Sequence, residues 1–82
     1  MTSEDKIRFY GSRYCGHSRV AQNYLSRNDI EFEYYDVNND PEAEAYVKEL
    51  NNGNRSVPTL VFPDGTVMTE PSNAEIGKKL GI

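Results

Sequence analysis

Eighty-two residues make one domain, long enough for a modest core and too short for two. Nine Lys plus Arg against 13 Asp plus Glu leave a net charge of -4, which argues against nucleic acid as a partner and for solubility. A single cysteine excludes an internal disulfide framework, and the absence of a secretory or membrane-length apolar run after Met1 points to a reducing cytoplasm and no membrane partner.

Residues 1–5 read as a polar lead-in to a domain that fills the chain. Ile7 to Tyr10 is β-prone and stops at Gly11-Ser12, the punctuation of a first strand. The thiol follows in Tyr14-Cys15-Gly16-His17-Ser18. From Ser18 to Asn28, Val20, Ala21, Tyr24 and Leu25 recur on one helical face, with Arg19, Gln22, Asn23 and Ser26 opposite. Ile30 to Val37 is aromatic and β-branched and predicts a second strand, ending in Asn38-Asn39-Asp40-Pro41, whose proline suits the first position of a helix. Glu42 to Leu50 carries Ala43, Tyr46, Val47 and Leu50 at helical spacing, and Asn51-Asn52-Gly53-Asn54 stops it with residues tolerant of left-handed backbone. Thr59 to Phe62 and Thr66 to Thr69 are short extended runs joined through Pro63-Asp64-Gly65, a hairpin pattern. Ser72-Asn73-Ala74-Glu75 matches the S-x-x-E capping box ahead of Ile76 and Leu80.

The order β-α-β-α-β-β-α defines an α/β fold with a mixed four-stranded sheet and three helices. A helical crossover makes the first two strands parallel, and the hairpin adds an antiparallel edge. Open sheets of this kind bind ligands beyond the carboxyl ends of their strands, where the loop after the first strand puts Cys15. A thiol at a helix start also sits where backbone amides and the macrodipole favour its anion, the reactive form. A lone cysteine elsewhere is more often buried and inert, so the weight falls on its neighbours. With no second cysteine, any redox cycle needs an outside thiol.

Cys15-x-x-Ser18 at a helix start, Asn54-Arg55-Ser56-Val57-Pro58-Thr59, and Asp64-Gly65 followed by Pro71-Ser72 resemble a glutaredoxin of the thioredoxin fold. The likeness is greatest to mycoredoxins, which also read Gly-Asn-Arg-x-Val-Pro-Thr and then x-Pro-Ser before the last helix. It spans Ile7 to Leu80, and the motif set is specific where Cys-x-x-Ser alone is not.

The resemblance implies a thiol-disulfide oxidoreductase in which Cys15 attacks the mixed disulfide of a low-molecular-weight thiol and a protein. Ser18 matches the resolving cysteine of dithiol members; its hydroxyl can donate to the thiolate but cannot form a disulfide, which leaves a monothiol route. Pro58 matches a proline that is cis in the family, where Val57 offers its backbone to the bound thiol. Only about 5–6% of X-Pro bonds in folded proteins are cis, so that expectation rests on the resemblance. Arg55 matches a basic residue near the small thiol's carboxylate, and Ser72 with Asn73 matches a helix start that holds another. Tyr14 and His17, beside the thiol, are candidate contacts, His17 as a tuner of the thiolate.

Glutaredoxins that use glutathione usually carry a lysine three residues before the cysteine and Gly-Gly ahead of the last helix. Here those positions are Ser12 and Glu70-Pro71. Arg13 can restore the charge while Glu70 repels a carboxylate, so mycothiol competes with glutathione as co-substrate. The partners implied are that small thiol and thiolated proteins, acting on a monomer with no bound cofactor or metal. An alternative is a [2Fe-2S] carrier, since Cys-Gly-His-Ser is one residue from the Cys-Gly-Phe-Ser signature of cluster-binding monothiol glutaredoxins. Another is an engineered change of a resolving cysteine to Ser18, which would put the same chemistry at Cys15.

Overall fold

Seven elements follow one another in the computed structural model, which describes residues 6–82; the lead-in expected over residues 1–5 lies outside them. They are β1 (Ile7–Gly11), α1 (Gly16–Arg27), β2 (Phe32–Asp36), α2 (Pro41–Leu50), β3 (Thr59–Val61), β4 (Val67–Thr69) and α3 (Asn73–Leu80), in the expected order. The sheet runs β2-β1-β3-β4, with β2 parallel to β1 and both hairpin strands antiparallel to their neighbours. β1 is therefore central, and its alternating side chains feed two cores. Ile7 and Phe9 join Ala21, Leu25, Leu60, Phe62 and Ile76 on the side of α1 and α3. Tyr10 joins Val37, Ala43, Val47 and Val61 on the side of α2. Ring pairs across β1 and β2 strengthen the junction, Phe9 with Tyr34 at 5.6 Å and Tyr10 with Tyr35 at 4.9 Å between centroids.

Each helix starts and stops for a local reason. The Asp40 side chain accepts from Glu42 N and Ala43 N, with Pro41 in the first turn of α2. Asn52 and Gly53 then take the left-handed backbone expected of that stop, at φ 57° and 91°. The Ser72 capping box forms in full, Glu75 N donating to Ser72 Oγ and Ser72 N to Glu75 Oε1. In the hairpin, Gly65 is left-handed at φ 92° and its N donates to Phe62 O.

The expected face of α1 holds at Ala21, Tyr24 and Leu25 and needs correction at Val20. The helix begins at Gly16 rather than Ser18, and its buried stripe is Ser18, Ala21 and Leu25, while Val20 is 53% exposed. Positions three and four apart share a face, and residue 18 starts the stripe that Ala21 and Leu25 continue. A small polar side chain fits there because Gly11 at the end of β1 crosses close to it. A Cβ on Gly11 would lie 3.2 Å from Ser18 Oγ and 2.6 Å from Phe9 Cε1.

Two predictions follow from this packing. Gly11→Ala should cost about 1–3 kcal/mol in urea denaturation, because Phe9 is fully buried and has nowhere to move; parental stability would contradict the close approach. The second concerns acid. Hydrogen bonds from Lys79 and Thr66 hold the Asp64 carboxyl well below the usual range, and the Ser72 amide lowers that of Glu75. A carboxyl whose folded value is depressed adds stability above its unfolded value and loses it as pH falls. The urea midpoint should therefore drop as pH falls below about 4, gently because both groups are exposed, and Asp64→Asn should flatten the drop. A midpoint that rises on acidification would contradict it.

Candidate active site

The turn between β1 and α1 is organised by a serine. Ser12 is 4% exposed, and its carbonyl accepts from Cys15 N at 3.1 Å while its Oγ accepts from Tyr14 N at 3.2 Å. Its own N donates to Ser18 Oγ at 3.3 Å, tying the turn to the first turn of α1. Asn38, in the turn after β2, donates through Nδ2 to the same Ser12 Oγ. The parallel register explains the reach: Gly11 lies opposite Asp36, so the two turns leave the sheet side by side.

Cys15 is the N-cap of α1, in extended backbone at φ -100° and ψ 119°. Its side chain is half-buried, and Sγ lies 3.9 Å from Val57 O, at the long limit for a thiol hydrogen bond. The Val57–Pro58 bond is cis, and Pro58 O accepts from Glu70 N at 2.7 Å, which ties this loop to the approach to α3. The structure thus brings Cys15, Val57, Pro58 and Ser18 to one end of the sheet. The Ser18 hydroxyl faces Ser12 N, and no hydrogen bond to Cys15 is found among the described residues. Its burial under Gly11 decides that orientation.

The other expected residues surround this centre. Tyr14 is 80% exposed beside the thiol. His17 Nε2 donates to Pro71 O at 2.9 Å, so it links the start of α1 to the residue before Ser72. Arg13 Nε lies 3.6 Å from Asp36 Oδ2. Arg55 Nε pairs with Glu44 Oε2 at 2.7 Å, and its Nη2 donates to Asn38 Oδ1. The Ser72 amide is taken by Glu75, while Asn73 opens α3. Arg13, Arg55 and the Ser72 amide therefore each already face a carboxylate of this chain. Glu70, where glutathione-using members have glycine, is left-handed at φ 49° and exposed.

Ser12, Asn38, Glu44 and Glu75 did not enter the sequence reading as site residues. Tyr34 joins them: burial, then the Asp36 carboxylate, pushes its phenol up, with a further contribution from the Cys15 thiolate. The signals in the sequence were Ser12 itself, a small residue where a lysine is usual, and the capping box that sets Glu75 on Ser72. Among the described residues no group of three His, Cys, Asp or Glu side chains is placed to hold a metal ion, so Cys15 is the one thiolate this chain could offer a cluster. No helix there is long and apolar enough to cross a membrane.

Comparison with known proteins agrees with this geometry. The Glutaredoxin family model matches residues 7–68. Over 74 residues the chain is 34% identical to a protein of Mycobacterium tuberculosis named as a glutaredoxin, covering 90% of this chain and 88% of that one. It is 36% identical over 74 residues to mycoredoxin 1 of Corynebacterium glutamicum, covering 90% and 91%. Among solved structures, a thioredoxin-like protein superimposes with a TM-score of 0.80 at 25% identity, covering 92% of this chain and 99% of that one. The glutaredoxin of Methanosarcina mazei gives 0.74 at 25% identity, covering 96% and 81%. With a half-buried thiol at a helix start against Val57 and cis-Pro58, the chain belongs to the glutaredoxin family and is a thiol-disulfide oxidoreductase.

Proposed function

We propose that the chain removes a low-molecular-weight thiol from mixed disulfides with proteins by a one-cysteine route. The observation that carries this reading is Cys15 itself, the one thiol of the chain, presented at the N-cap of α1 with Sγ toward Val57 O and with Ser18 where a partner thiol would stand. The Cys15 thiolate attacks the small-thiol sulfur, the mixed disulfide breaks, and the protein sulfur leaves as a thiolate that takes up a proton. Cys15 is now disulfide-bonded to the small thiol. A second small thiol, as its thiolate, attacks the small-thiol sulfur of that adduct and frees Cys15. The protein sulfur is reduced, the second small thiol is oxidised into the released disulfide, and no bound cofactor enters the balance. Val57 would offer its backbone to the incoming chain like an added strand. The working form in this reading is a cytoplasmic monomer.

The charges favour mycothiol over glutathione. Glutathione brings two carboxylates and mycothiol none, while Glu44 already holds Arg55 and Glu75 already holds the Ser72 amide. Glu70, exposed just ahead of α3, adds a further like charge. A thiol rich in hydroxyls meets no such competition.

The test is turnover of a thiolated peptide with each small thiol. Mycothiol should support faster release than glutathione, Cys15→Ser should abolish it with both, and no turnover with either would overturn the reading. Glu44→Gln frees Arg55 from its exposed ion pair and should lower the KM for glutathione roughly two- to fivefold while leaving that for mycothiol unchanged. An unchanged glutathione KM would remove Glu44 from the account of selectivity.

A further inference from the structure

Among the described residues the side chain of Asn38 makes no hydrogen bond to the thiol, Val57 or Pro58, yet both its polar ends are engaged. Its Oδ1 accepts from Arg55 Nη2, and its Nδ2 donates to Ser12 Oγ. A guanidinium has only donors, so Arg55 admits one orientation of the amide, with oxygen toward itself and N–H toward Ser12. Ser12 in turn holds the two amides that set the turn, Tyr14 N through its hydroxyl and Cys15 N through its carbonyl. Asn38 is itself held at its backbone, where its N donates to Asp36 Oδ1 at 2.9 Å, and the adjacent Val37 N donates to Gly11 O at 3.0 Å. The turn after β2 is thus a fixed bracket against which the Cys15 turn is braced.

We propose that Asn38 is a positioning residue for Cys15: with its amide oriented by Arg55, it holds the Ser12 hydroxyl where the turn places Sγ against Val57. The proposal rests on the reading of Cys15 as the attacking sulfur. Without the Asn38 N–H, Ser12 Oγ keeps Tyr14 N as its partner but loses the tie to the second turn, and the thiol samples positions away from Val57 O. The step this slows is the first exchange, which needs the sulfurs in line. Capture of the second thiol depends on the adduct and not on this brace.

The experiment compares the parental chain, Asn38→Ala, Ser12→Ala and the double variant. A single-turnover rate for transfer of the small thiol from a peptide onto Cys15 is measured beside the steady-state KM for mycothiol as the second thiol, which Arg55 does not attract by charge. Asn38→Ala should slow transfer roughly two- to tenfold, the effect of one lost hydrogen bond, with that KM unchanged. Because the link runs through Ser12, the double variant should be no slower than Ser12→Ala. Amide exchange at Tyr14 and Cys15 should quicken in Asn38→Ala while Leu25, in the core, keeps its parental protection. Parental transfer in Asn38→Ala, additive losses in the double variant, or a loss confined to KM would each overturn the proposal. If Ser12→Ala does not fold, the single variant decides, because Asn38 is exposed and its replacement opens no cavity. Absence of transfer in the parental chain would instead defeat the reading of Cys15, so the two failures are distinct.

Discussion

Ser12 is the constraint on which the functional end of this protein depends. One buried residue donates to Ser18, accepts from Tyr14, Cys15 and Asn38, and so joins the end of β1, the thiol turn, the first turn of α1 and the turn after β2. Such an arrangement needs a short side chain that accepts more than once, and a hydroxyl meets that need. A lysine at this position could not be folded inward in the same way. The inward hydroxyl leaves no charge at this position and ties the turn that bears the sulfur to its neighbours.

Electrostatics around the thiol follow the same economy. Arg13 faces Asp36, Arg55 faces Glu44, and the amide at the start of α3 faces Glu75, so these three groups are answered by carboxylates of the same chain, whose net charge is -4. The thiol is half-buried, with Sγ against Val57 O. A cavity of about 500 Å³ lies elsewhere, on the α2 side of the sheet against Arg8, Tyr10, Tyr35 and Tyr46.

Periodicity and turn chemistry made the order of elements readable, because Asp40-Pro41, Asn52-Gly53, Asp64-Gly65 and Ser72 with Glu75 each act within a few residues of themselves. On α1 the face through Ala21, Tyr24 and Leu25 is legible, and Val20 departs from it for a physical reason. Hydrophobicity ranked Val20 above Ser18, but the close crossing of Gly11 admits only a small side chain at the start of the stripe. At the site, the motifs around Cys15 and Val57-Pro58 could be found by resemblance. The Ser12 to Asn38 link and the Glu44 carboxylate on Arg55 could not, since they join polar residues on separate elements and follow no period.

The central claim is that all the chemistry passes through one sulfur that bonds to a partner and is released by another thiol. Intact-mass spectrometry of the protein after exposure to oxidised mycothiol and oxidised glutathione tests it most directly. The account predicts one small-thiol adduct per chain, located on Cys15, formed more readily with mycothiol and removed by the free thiol. A chain that stays unmodified by both, or whose adduct resists excess thiol, would contradict it.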